Sequence, residues 1–197
     1  SQPISTLKKT TIILATIVLL SISSILPTYY FRVLTLQDSA MPRLFSFDAD
    51  WEKEFLQIQA GAHLSVVDAP EGWAAHDSKV AKLTLSSQQY PGLKFRDLPQ
   101  DWSKYKFLKL DIFSKRNPTN AITLRIHDQQ HNNTYQDRYN LSLKLSAGLN
   151  KIEIPLNDVI HAPANREMDL QHIGGIAIFT INPQSPSSIY LDNVRLE

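Results

Sequence analysis

The 197-residue chain has no cysteine. Disulfides, thiolate metal sites, iron–sulfur clusters and a cysteine nucleophile are excluded together. Glycine is scarce, at 6 residues, and with only 11 prolines the composition is not that of a low-complexity chain. An excess of either charge is also missing: 20 Lys and Arg stand against 19 Asp and Glu, a formal charge of +1. That balance lacks the electrostatic footprint of a nucleic-acid binder, so nucleic acid is not an expected partner. No G-x-S-x-G, H-E-x-x-H, P-loop or dinucleotide fingerprint occurs. The expectation is a protein without catalytic activity. A glycosidase would need two carboxylates facing across a cleft, which spacing along the chain does not reveal.

What is present is distributed unevenly. Lys9 and Arg32 bracket 22 uncharged residues, Thr10–Phe31 (TTIILATIVLLSISSILPTYYF). About 20 apolar residues cross the hydrocarbon core of a bilayer as a helix. Tyr29, Tyr30 and Phe31 match an interfacial aromatic belt, and Pro27 lies near the end, where a kink costs least. Residues 1–32 therefore read as an N-terminal transmembrane anchor that meets the membrane through 10–31. Lys8 and Lys9 precede the run and Arg32 alone follows it. The positive-inside rule then puts the C-terminal domain outside the cytoplasm, periplasmic or extracellular. A cleavable signal peptide is the competing reading, although its core is usually shorter and Ser21–Ser24 is the best candidate site. The chain opens on Ser1, which suits a piece of a longer protein in which this helix is the last of several. Residues 33–43 (VLTLQDSAMPR) read as a linker.

The remainder, 44–197, reads as one all-β domain. The first 32 residues hold three of the positive charges and no negative one, which leaves 17 basic against 19 acidic residues, a net of −2. Short runs of period-2 alternation are separated by turn clusters such as DAPEGW, QQYPG, KRNPTN and SAGLN. Eleven strands are expected: 44–48, 55–59, 63–67, 79–86, 93–98, 106–114, 121–128, 135–145, 151–155, 173–181 and 188–196. Only Pro99–Lys104 and Asn157–His161 look like helical turns. So many short strands imply a two-sheet jelly-roll sandwich. Alternation puts Leu108, Leu110, Ile112, Ile122, Leu124 and Ile126 in the core. The opposite positions collect Asp111, Phe113, Arg125, His127, Arg138, Asn140 and Glu153, expected on one non-core face. Trp102 is expected to pack. Arg125, Asp128, Asp137 and Arg138 are alternatively read as a structural ion-pair network. His127 and His131 lack the further ligands of a zinc site.

The run LFSFDADW (44–51), the stretch DWSKYKFLKLDIF (101–113), the strands TLRIHD (123–128) and YQDRYNLSLKLSAGLNKIEIPL (135–156), and the closing SIYLDNVRL (188–196) come in a familiar order. With them the chain resembles non-catalytic carbohydrate-binding modules of the galactose-binding-like jelly-roll fold. The resemblance implies a saccharide or cell-envelope glycan as partner. Arg125, His127, Arg138 and Asn140 become ligand contacts, Asp111 and Glu153 hydroxyl acceptors, and Trp73 a ring for stacking on a pyranose face. It also implies a structural calcium near Asp48 and Asp192, in the first and last strands. The span and HAPANREMDL (161–170) are similar to the C-terminal part of VanZ-like bacterial membrane proteins. On that likeness the domain is alternatively a protein-docking β-sandwich, the outer part of a larger membrane protein.

Overall fold

The computed structural model describes residues 6–73 and 79–197, without the side chains at 6, 7, 10, 20, 22 and 24. It divides into two units, Ser1–Ser39 and Ala40–Glu197. The first is formed by helix α1, Thr6–Ala40. Hydroxyl residues do not interrupt it, because they bond back to the preceding turn. Thr16 Oγ1 donates to the Ile12 carbonyl at 2.9 Å, and Ser21 Oγ to that of Ile17 at 2.8 Å. The large apolar side chains of Ile13, Leu19, Leu26 and Phe31 are exposed. Among the described residues, no helix is long and apolar enough to cross a membrane. The span expected over 10–31 falls in part on positions 10, 20, 22 and 24, whose side chains lie outside those residues. The stretch expected as a linker is helical as far as Ala40. It holds no glycine, and no proline before Pro42, so nothing in it stops the helix.

The second unit is an all-β sandwich of two antiparallel sheets. Its elements are β1 (Arg43–Phe45), β2 (Leu56–Gln59), β3 (His63–Asp68), β4 (Lys79–Leu85), β5 (Gly92–Phe95), β6 (Phe107–Ser114), β7 (Ile122–Asp128), β8 (Tyr139–Leu143), β9 (Gly148–Pro155), α2 (Leu156–Ile160), β10 (Ile173–Thr180) and β11 (Ser187–Leu196). One sheet has the order β3-β4-β11-β6-β9, with β1 also paired to β11; the other has the order β2-β5-β10-β7-β8. Each strand falls where the alternation placed one. From β6 onward the chain moves from the first sheet to the second, stays there for β8, and then alternates sheets for β9, β10 and β11.

The inner faces carry the residues that the period-2 pattern assigned to them. Leu108, Leu110 and Ile112 from β6 and Ile122, Leu124 and Ile126 from β7 are all at 1% exposure or less. Phe45 of the first sheet and Phe95 of the second meet edge to face at 4.7 Å between ring centres. Trp102 is fully buried; its indole N–H donates to the Pro99 carbonyl at 2.8 Å and its amide to Leu170 at 2.8 Å. The surrounding 99–104 segment is held by those bonds as irregular turns rather than as the expected helical turn. Residues 157–160 are helical within α2. A 3₁₀ helix, Asp50–Phe55, was not expected; it opens with Asp50 and Glu52 in its first turn.

Candidate functional site

Strand register builds the floor of a cleft on the outer face of the second sheet. Lys94 is opposite Gln57 of β2 and Ala177 of β10. Ala177 is opposite Arg125 of β7, which is opposite Asn140 of β8. One continuous cross-strand row therefore reads Gln57, Lys94, Ala177, Arg125, Asn140. The next row reads Gln59, Gly92, Phe179, Thr123, Ser142. Both rows face outward, because their neighbours Leu93, Phe95, Leu124, Ile176 and Ile178 are buried in the core. Gly92 has no room for a side chain: a Cβ there would lie 2.4 Å from the Ile178 carbonyl oxygen.

A cavity of about 590 Å³ stands on this floor, with Tyr90, Tyr135 and Arg138 in its walls. On the β5–β10 side, Tyr90 meets Phe179 edge to face at 6.2 Å. On the β8 side, the Arg138 guanidinium lies 5.4 Å from the centre of the Tyr135 ring. Arg138 Nε donates to Asn140 Oδ1 at 3.0 Å, and Asn140 Nδ2 donates to the Tyr135 carbonyl at 3.0 Å. Exposed rings beside amide and guanidinium groups suit a ligand with an apolar face and polar edges.

The loop behind this wall is tied down by a cation that the sequence reading did not single out. Arg166 donates from Nη1 and Nη2 to the two oxygens of Asp128, at 2.5 and 2.8 Å, and from Nε to Asp137 at 2.6 Å. Burial alone would raise the Asp128 carboxyl, but Arg166 and the Asp169 amide hold it below its ordinary value. Asp137 Oδ2 also accepts from the Asn132 amide at 2.8 Å, which closes the 132–137 loop. Asp128 and Asp137 are thus in an ion-pair network as one reading expected. Their partner is Arg166 of the 161–170 segment, not Arg125 or Arg138. No local pattern signals a bond across 38 residues.

Of the expected ligand contacts, Arg125, Arg138 and Asn140 line the cavity. His127 lies on the same face, opposite Gly175 of β10, and its ring is 5.1 Å from that of His131. The expected single face does not include Asp111, Phe113 and Glu153. They sit on β6 and β9 of the other sheet. Alternation fixes inward or outward but not which sheet, and the chain changes sheets after β6. Asp111 Oδ2 accepts from Asn193 at 3.3 Å, and Glu153 pairs with Lys109 at 2.8 Å. Trp73 is likewise no open stacking ring. It is 6% exposed and lies flat on Phe113 at 5.6 Å, in a cluster with Val80 and Tyr190 on the first sheet. Cleft residues that the reading missed are Tyr90, Lys94, Tyr135 and Phe179. The alternation of Leu93-Lys94-Phe95 and Ile178-Phe179-Thr180 marks two of them.

The metal candidates lie elsewhere. Asp192 is buried in β11 and accepts from the Asn193 amide at 2.7 Å, whereas Asp48 is exposed. A further carboxylate belongs to this region. Glu52 Oε1 accepts from the Ser46 amide at 2.7 Å, while its Oε2 is buried and takes no hydrogen bond. Burial raises the Glu52 pKa against the opposing bonds from Ser46 and from the Phe47 and Ala49 backbone. Glu52 and Asn193 line one cavity of about 630 Å³. Among the described residues, no group of three or more His, Asp or Glu is placed to hold a metal. Two carboxylates with backbone carbonyls remain a chemically sufficient set for calcium.

Residues 57–196 match the family described as carbohydrate binding domain (family 11). The chain belongs to that family. Similar solved structures show the same fold. The family 11 module from Clostridium thermocellum, solved with a β-1,3-1,4-mixed-linked tetrasaccharide, is 20% identical with a TM-score of 0.53; the match covers 72% of this chain and 86% of that one. An exo-β-agarase is 20% identical with a TM-score of 0.62, covering 79% of this chain. A second agarase is 14% identical with a TM-score of 0.58, again over 79% of this chain. The chain spans only 24% and 26% of those two agarases. No curated protein matches.

The face of this family 11 domain carries a histidine whose protonation is coupled to folding. Burial, then Arg125, His131 and Lys94, push the His127 imidazole down to about 4, against a smaller opposing pull from Asp128. Its Nδ1 is buried without a partner. Below pH 6.5 the unfolded chain takes up a proton here that the folded domain refuses until about pH 4. Stability is therefore unaffected above pH 6.5 and falls with pH through that window. Urea unfolding at pH 7 and pH 4 should show wild type losing roughly 1–2 kcal/mol more than His127→Gln, after allowance for solvent screening. Equal losses in the two proteins would contradict this.

Proposed function

We propose that this chain binds saccharide without catalysis, that the outer face of β2-β5-β10-β7-β8 takes the ligand, and that residues 10–31 hold the domain at a membrane, outside the cytoplasm. Membership of the carbohydrate-binding family supports the first part. The observation that carries the second is the cross-strand row Lys94, Ala177, Arg125, Asn140, which sets three polar side chains along the floor of one cavity. Tyr90, Phe179 and Tyr135 offer rings to the C–H faces of pyranoses, and Arg125, Arg138 and Asn140 address hydroxyl groups and ring substituents. Affinity electrophoresis of the full chain tests this, with mixed-linkage β-glucan and agarose heading a broad panel of neutral and charged polysaccharides. At least one should retard the protein, and Asn140→Ala should weaken that binding about tenfold. Retardation by none of them would end the saccharide reading.

A structural calcium forms part of the same proposal. Asp48 and Asp192, with backbone carbonyls, would hold it. A bound cation would tie the segment that follows β1 to β11. Dialysis against EDTA should lower the melting temperature by several degrees, with recovery on adding Ca²⁺. An unmoved melting temperature would remove calcium from the account.

The membrane part rests on the 22 uncharged residues between Lys9 and Arg32. After expression, the full chain should sediment with membranes and resist extraction by alkaline carbonate. Release into the supernatant would mean that the segment does not span.

A further inference from the structure

We infer that the cleft selects saccharides bearing negative charge, as uronate carboxylates or sulfate esters; this rests on the reading that the cleft binds saccharide at all. Three cations, Lys94, Arg125 and Arg138, line the cavity, and no Asp or Glu lines it with them. The domain as a whole carries slightly more acidic than basic residues.

Elsewhere on the domain, the partly buried cations Arg166, Lys109 and Arg195 are neutralised. Arg166 holds two carboxylates, and Lys109 lies 2.8 Å from Glu153 and 2.7 Å from Glu197. Arg195 pairs with Glu197 at 2.8 Å. Among the described residues, the three cleft cations take part in no such pair. Arg125 Nε is buried and bonds to nothing. Half-buried like charges in one groove are unfavourable unless an anion joins them.

The register shows where that anion fits. Ala177 stands between Lys94 and Arg125 in the cross-strand row. Strands lie about 4.8 Å apart, so the two cations start about 10 Å from each other with only a methyl group between them. A carboxylate or sulfate seated over Ala177 comes within reach of both long side chains. Guanidinium and ammonium groups donate and never accept. A neutral sugar would meet them with hydroxyl oxygens alone, whereas a carboxylate or sulfate offers paired oxygens that match the Arg125 fork.

Isothermal titration of the full chain against three polymers tests the inference: alginate as polyuronate, carrageenan as sulfated galactan, and mixed-linkage glucan as neutral control. One of the two charged polymers should bind at least tenfold more tightly than the neutral one, and which of them binds identifies the anion. That binding should weaken about tenfold in Arg125→Gln and in Lys94→Gln, and further as NaCl rises from 50 to 500 mM. Both variants are checked for an unchanged circular dichroism spectrum; Lys94→Gln, the less buried change, decides if Arg125→Gln does not fold. Neutral glucan bound as well as or better than both charged polymers overturns the charge selectivity and leaves the saccharide reading standing. Binding of a charged polymer that neither variant weakens overturns it too, because the attraction then lies elsewhere. No binding by either charged polymer overturns the charge selectivity, and the saccharide reading is then decided by the wider panel.

Discussion

Strand register is the constraint on which the rest of this domain depends. Side chains alternate with a period of two, so a slip of one residue in β7 or β10 would carry every outward group into the core. Arg125 would then point at Leu110 and Ile112, and Leu124 would point at solvent. The same register that buries Ile126 and Ile178 aligns Lys94, Ala177, Arg125 and Asn140 across strands far apart in the chain. Core packing and cleft chemistry are therefore two faces of one pairing. Gly92 and Gly175 mark where the pairing is tightest. A Cβ on Gly175 would come 2.9 Å from the Phe95 carbonyl oxygen and 3.3 Å from His127 Cε1.

Electrostatics divides the domain in a second way. Behind the cleft, and on the opposite sheet, several charges are matched: Arg166 with Asp128 and Asp137, Lys109 with Glu153 and Glu197. Matched pairs of this kind fix loops and strand ends. In the cleft, burial and then a neighbouring cation, Arg138 for Arg125 and Arg125 for Lys94, hold both groups below their ordinary pKa, and no acidic neighbour offsets it. Neutral His127 beside them adds no further charge at pH 7.

Much of the fold was legible in the sequence because alternation and turn residues are local. The eleven strands and the inward sets of β6 and β7 follow from patterns a few residues long. The assignment of strands to sheets is not local. Asp111 and Arg125 both read as outward positions, yet they stand on opposite surfaces of the sandwich. Trp73 reads as an exposed loop ring, but Phe113 on the outer face of β6 offered it a flat partner, and burial of both rings won. Arg166 gave no sign, since its partners lie 38 and 29 residues away. Arg125, Arg138 and Asn140 were recognisable because each combines an outward position with a side chain too polar to serve packing.

The Arg166 clamp has a consequence for the wall of the cleft. Asp137, gripped by Arg166, immediately precedes Arg138, and the Ala164 amide donates to the Gln136 carbonyl at 2.9 Å. Tyr135 and Arg138 are thus carried by a short loop anchored on both sides before any ligand arrives. An unanchored loop would have to surrender its conformational freedom at the moment of association, and affinity would fall accordingly. Here that freedom is lost when the domain folds, and the cleft presents a wall already in shape.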